Sequence, residues 1–291
     1  NNSNQDGSLT IILEESLDAA KASIEKKDHS CTIRFQDPVL YFRLFNYVLH
    51  HSGEDFSLEE NPYFQKRGFM LDCSRNAVAA PEKLRSIIRR LAKMGMNQLF
   101  LYMEDTYEVP DHPYFGTYRG RYTREELQSL DSYCSLFGIE LVPCIQTLAH
   151  LHSFLRWHNS ENLRDTGDIL KAGSEEVYAF IRSLLESLKS SFTTRNIHIG
   201  MDEAHMLGLG NYLKENGYEE SSVIIRKHTE KVLELCKDAG WNPMMWSDMY
   251  ITANIVGGYY DVKASTDISG WEKPPKELGM VYWDYYNTVS Y

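Results

Sequence analysis

Several things are scarce in these 291 residues, and each scarcity removes a class of protein. No apolar run approaches the roughly 20 residues that span a bilayer, so no membrane partner is expected. Basic residues are outnumbered, 30 against 41 acidic, for a formal charge of −11. Nucleic acids and anionic surfaces both reward a basic face, so nucleic acid is not expected as a partner either. Cysteine is sparse and odd in number: Cys31, Cys73, Cys134, Cys144 and Cys236, with no CxxC pair. That pattern supports neither a disulfide framework nor a structural zinc site, and it predicts reduced thiols in a cytoplasmic protein. The opening "NNSNQDGS" is no signal peptide, although secretion by a removed leader stays open. No glycine-rich phosphate loop follows any apolar run, and no HExxH helix occurs, so no cofactor or metal is expected.

What is there is an ordinary globular composition, 43% hydrophobic and 24% charged, long enough to bury a large core. The first sixty residues read as a small α+β domain (1–60). "SLTIILEES" and "AAKASIEKKDHSCTIRF" alternate like strands, and "DPVLYFRLFNYVLHH" has helical spacing with Asp37 as N-cap and Pro38 behind it. "SGEDFSLEENPY" reads as a linker. Residues 61–291 then alternate six strand-like runs with helices: "KRGFMLDC", "NQLFLYMED", "IELVPCIQT", "NIHIGMD", "NPMMWSDM" and "GMVYWDYYN". Alternation of that kind implies parallel strands with crossover helices. Each run ends in polar residues, which is where a (β/α)8 TIM-type barrel gathers its site. A doubly wound sheet is the alternative fold. Only about six of eight βα units are present, so the barrel reads as incomplete and the chain as C-terminally truncated.

"NIHIGMDEAH" places Asp202 and Glu203 side by side at a strand end. Neighbours in a regular strand point to opposite faces, so both can line one mouth only if the strand breaks there. Paired carboxylates repel, which raises the proton affinity of one and suits a general acid. Two other readings stay open: Asp202 as a helix cap beside a solvated Glu203, or a metal site of His198, Asp202 and His205.

The motif "HIGMDE" closely resembles the H-x-G-G-D-E signature of family 20 glycoside hydrolases, the β-N-acetylhexosaminidases, with Met201 where the second glycine stands. "RGFMLDCSR" resembles the family's first barrel strand, and "MMWSD" its Trp-centred fifth strand. "QTLAH" stands in place of an Asp-x-Pro-Gly-His stretch, with Gln146 for the aspartate. "VYWDYY" points toward intracellular bacterial members. The resemblance implies an exo-acting enzyme that removes terminal β-linked GlcNAc or GalNAc, with retention, through an oxazolinium-like intermediate formed by the substrate's own acetamido group. It implies that Glu203 is the general acid, Asp202 the acceptor of the acetamido N–H, and His150, with Glu104 or Asp105, a relay behind the acid. Substrate contacts would come from Arg67, Trp246, Asp248, Tyr282, Trp283 and Asp284, with His198 beneath the site. N-acetylhexosamine-terminated glycans would be the partners. A non-catalytic amino-sugar-binding protein and a metal-dependent hydrolase are the alternatives; the oligomeric state is not legible.

Overall fold

The computed structural model describes residues 8–18, 20–255, 258–262, 265–271 and 273–286. The opening stretch read above for a leader lies mostly outside them. The chain divides into two compact units, residues 1–71, 79–100 and 129–141, and residues 72–78, 101–128 and 142–291.

In the first unit, β1 (Thr10–Glu15), β2 (Ala22–Lys27), β3 (Ser30–Phe35) and β4 (Phe56–Glu60) form a sheet ordered β1-β3-β2-β4, with α1 (Pro38–His51) between β3 and β4 in the chain. β1 runs parallel to β3, whereas β2 is antiparallel to both β3 and β4. The period-2 alternation of β2 buries Ala22, Ile24 and the stem of Lys26 on one face. α1 covers that face with Val39, Leu40, Leu44 and Val48. Asp37 caps the helix by accepting the Val39 N–H at 3.0 Å, and Pro38 opens it, as expected. The expected linker is corrected here. Its Phe56, Leu58 and Glu60 alternate inward, and Leu58 pairs with Ile24, so the stretch closes the sheet as β4.

A second sheet contains β5 (Gly68–Asp72), β6 (Gln98–Glu104), β7 (Glu140–Ile145), β8 (Asn196–His198), β9 (Asn242–Trp246) and β10 (Gly279–Val281). Between them run α2 (Pro81–Met94), α3 (Arg124–Ser135), α4 (His152–Leu155), α5 (Glu175–Lys189), α6 (Asn211–Asn216), α7 (Ser221–Ala239) and α8 (Asp248–Thr252). The six strands are parallel and lie in chain order, β10-β9-β8-β7-β6-β5. A doubly wound sheet would reverse direction at a switch point, so this order is that of a TIM-type barrel, with six of its strands.

Local chemistry explains the element ends. α2 stops at Gly95, whose φ of 78° lets its N–H close the last turn. α3 opens with a reciprocal cap: the Thr123 hydroxyl takes the Glu126 N–H and the Glu126 carboxylate takes the Thr123 N–H. Two strands differ from expectation. β5 is half-exposed rather than buried, because it is the sheet's edge. β8 is only three residues long, for reasons that define the site. In the second unit, α5 and α7 pack together and bury Val177, Ile181, Leu184, Val232 and Cys236. All five cysteines are buried thiols outside any disulfide.

Candidate active site

The ladder of β8 to β9 runs two residues past the strand, where the Ile199 N–H reaches Met244 O and Gly200 O accepts the Trp246 N–H. Gly200, Met201 and Glu203 then all take positive φ, at 73°, 71° and 51°. Gly200 is required twice over. A Cβ there would lie 2.0 Å from Gln146 Oε1 and 2.7 Å from Ile145 O, and the backbone is left-handed besides. These torsions cancel the alternation of a strand, so Asp202 and Glu203 reach the same mouth. Positive φ in non-glycine residues costs about 1–3 kcal/mol each and persists where the surroundings enforce it. Glu104, His150, Met201 and Glu203 account for four of the six such residues described. The strain is concentrated on this cluster.

Asp202 is buried and held from two sides. Gln146 Nε2 donates to its Oδ1 at 2.8 Å, and His150 Nε2 lies 3.1 Å from its Oδ2. Burial alone would push this carboxyl up, but His150 and Gln146 outweigh it and hold it below the usual carboxylate range. Burial conversely pulls His150 down, and Asp202 and Glu104 raise it above an ordinary imidazole. The pair is therefore an ion pair. Glu203, with its side chain 45% exposed, stands 3.5 Å from the same His150 nitrogen. Its backbone N–H donates to Asp248 Oδ2 at 2.9 Å, which pins the left-handed turn.

Behind His150 lies a second layer. Tyr102 OH donates to Glu104 Oε1 at 3.0 Å and accepts from Gln146 Nε2 and Arg75 Nη2, each at 3.0 Å. Arg75 also lies 3.5 Å from Glu104 Oε1 and 3.4 Å from Asp72 Oδ2, with its guanidinium 4.9 Å from the Tyr102 ring centre. Burial raises the Glu104 carboxyl, moderated by Tyr102 and Arg75. The sequence left Glu104 and Asp105 undecided. Glu104 joins the cluster, whereas Asp105 is buried against Arg119 at 3.1 Å, which fastens the long loop after β6.

Arg67 requires correction. It precedes β5, at the strand end opposite the acids, and its guanidinium donates to Gly95 O, Phe64 O, Gln65 O and Asp37. The arginine that meets the acid cluster is Arg75, beyond the C-terminal end of the same strand. The second arginine of "RGFMLDCSR" was the available signal, because barrel sites form at that end. Tyr102 gave no such signal, since a tyrosine inside an apolar strand reads as core.

His198 is wholly buried, takes the Gly200 N–H on Nδ1 at 3.2 Å, and packs its ring 4.4 Å from Trp246. Burial drives it down to about 4, so it is a neutral support beneath the turn. Asp248 is pushed up to about 6, first by burial and then by the charge of Asp202. A cavity of about 450 Å³ opens beside Glu203, lined also by Asp248, Trp283, Tyr259 and His205. Tyr282 and Asp284 are not drawn into the cluster: they are exposed, and the Tyr282 hydroxyl donates to Asp284 at 3.0 Å. The donor atoms of His150, Asp202 and Glu203 fall within 4.8 Å of one another. A proton on His150 offsets one of the two carboxylate charges. The histidine that meets the acids is His150, not the His198 or His205 of the metal reading.

Acids at the C-terminal ends of parallel barrel strands, backed by an ion-paired histidine, are the arrangement of a barrel hydrolase. The chain belongs to glycosyl hydrolase family 20, whose catalytic-domain model matches residues 64–289. It is 28% identical over 177 residues to a beta-hexosaminidase of Akkermansia muciniphila, covering 50% of this chain and 36% of that protein. It is 23% identical over 219 residues to hexosaminidase D of Bos taurus, covering 71% and 60%. The fold matches a GH20 exo beta-N-acetylglucosaminidase of Vibrio harveyi, in complex with N-acetylglucosamine, at a TM-score of 0.75 and 16% identity. It matches a mutant Streptomyces plicatus beta-hexosaminidase, in complex with GlcNAc product, at 0.75 and 17%. These matches cover 95% and 96% of this chain, but 49% and 58% of those chains.

Proposed function

We propose that this chain carries the acid machinery of an exo-β-N-acetylhexosaminidase that removes terminal, non-reducing β-linked GlcNAc or GalNAc. The observation that supports it most is the split environment of two adjacent acids: a buried, ion-paired Asp202 beside a half-exposed Glu203. Asp202 stays ionised and accepts the acetamido N–H. This aligns the amide oxygen for attack on the anomeric carbon and stabilises the positive charge that develops as the ring closes. Glu203 protonates the leaving oxygen and later takes a proton from water, so the configuration is retained. His150 orients both carboxylates. Arg75 and Glu104 serve the sugar hydroxyls, and Trp246 and Trp283 wall the acetamido group from water.

The test is hydrolysis of a chromogenic GlcNAc β-glycoside in excess EDTA, with an oxazoline-mimicking thiazoline as inhibitor. Turnover that survives the chelator and is blocked by the thiazoline far below the GlcNAc concentration that inhibits supports the reading. Activity lost only in chelated samples would turn it toward a metal hydrolase. Tight sugar binding without turnover would leave a binding protein.

A further inference from the structure

The Gln146 side chain is fully buried, and its polar atoms make three hydrogen bonds, two of them to the acid turn. Nε2 donates to Asp202 Oδ1 at 2.8 Å and to Tyr102 OH at 3.0 Å, while Oε1 accepts the Met201 N–H at 3.1 Å. A primary amide has two N–H donors and an acceptor oxygen, and all are placed here. The space for it comes from Gly200, where any Cβ would collide with Oε1. Gln146 therefore holds both the Gly200–Met201 peptide, one residue ahead of Asp202, and the Asp202 carboxylate itself. A carboxylate side chain in its place would set two negative charges at hydrogen-bond distance. An apolar one would strand a buried N–H and a carboxylate oxygen.

We propose that Gln146 is a positioning residue that sets the aim of the Asp202 carboxylate toward the substrate's 2-acetamido group. The inference rests on the role given to Asp202 above. Of Asp202's acceptor sites, Gln146 occupies one on Oδ1 and His150 faces Oδ2, which leaves a fixed direction for a ligand N–H. A fixed direction matters most when the amide has rotated for attack. Its loss therefore falls on turnover more than on ground-state sugar affinity.

The test uses the full chain with Gln146→Met, similar in size and without strong hydrogen bonds, and Gln146→Glu. For the Met variant, kcat on the GlcNAc glycoside drops by about 10²-fold, as for loss of a single electrostatic donor. KM stays within about threefold by the uniform-binding criterion. The thiazoline loses most of its advantage over GlcNAc in calorimetry. The Glu variant recovers relative to wild type as pH falls, because a shared proton restores a donor to Asp202. The charged and titratable groups around that proton are Asp202, Tyr102, Glu104, Arg75, His150, Glu203, His198 and Asp248, and the wild-type profile carries all of them. A merely structural glutamine would give no pH recovery and would lower the melting point with kcat and KM altered together. If wild type cleaves the glycoside and prefers the thiazoline while the Met variant keeps both properties, the inference is wrong. If wild type does neither, the reading of the site falls first and takes this with it.

Discussion

Glu203 and Asp202 differ in what the protein has arranged around them, and the difference is measurable at single residues. Glu203→Gln should remove turnover of glycosides with poor leaving groups and spare those whose leaving group needs no proton. Equal loss on both would take Glu203 out of the acid role. Asp202→Asn should cost at least about 10²-fold in kcat, because an amide N–H would then oppose the acetamido N–H. The arginines make a contrasting pair. Arg75→Ala should raise KM by about tenfold or more with little change in melting point, since the guanidinium is half-exposed beside the acids. Arg67→Ala should cost about 1–3 kcal/mol of stability through the lost partners of Gly95 O and Asp37 and leave the kinetics of the folded fraction unchanged. The reverse assignment would restore Arg67 to the site. Asp202, Glu203 and His150 were legible in the sequence because a strand-end motif announces them. Gln146's grip on Asp202 was not, because it joins residues 56 apart through a space that only folding creates.

At the level of elements, the turn after β8 brings both acids to one mouth. The longer helices α1, α2, α3, α5 and α7 were legible, since apolar residues at helical spacing and caps such as Asp37 and Gly95 act locally, whereas the short α4, α6 and α8 were not read. β4 was missed because its acidic composition outweighed a short alternation that only β2 makes meaningful. The barrel order was legible from the alternation of strands and helices, but the abrupt end of β8 was not, because it follows from three torsions rather than from residue type. Gly200→Ala tests that turn. The added methyl meets both Gln146 Oε1 and the backbone oxygen of Ile145, at a φ that L residues avoid. The expected cost is about 2–4 kcal/mol, from strain plus displacement of a buried amide. A denaturation midpoint within error of wild type would mean that the turn relaxes freely and that Gln146 is not held as described. Activity should fall further than stability alone explains, since Asp202 moves with the turn.

Over the whole molecule, the shifted groups pull stability in opposite directions with pH. Asp202 is depressed, so its ion pair stabilises the fold above the unfolded carboxylate value and is lost as pH falls through the folded one, below about pH 4. His150 is raised, so its contribution is complete below about 6.5 and lost as pH rises through the folded value. Asp248 works against both. Its folded value of about 6 lies above the unfolded one, so folding resists its ionisation, and the cost accumulates between about pH 4 and 6. Two pK units correspond to about 3 kcal/mol, and at 3% exposure solvent screens little of it. Asp248→Asn keeps an oxygen for the Glu203 N–H and removes the charge. Its melting point should match wild type near pH 4 and rise about 5 °C above it by pH 7, measured as a series of thermal melts. The change in net charge, one among 41 acidic side chains, is too small and too well screened by salt to imitate that divergence. Curves that run parallel from pH 4 to 8 would show that Asp248 ionises freely in the folded chain and that neither burial nor Asp202 opposes its charge.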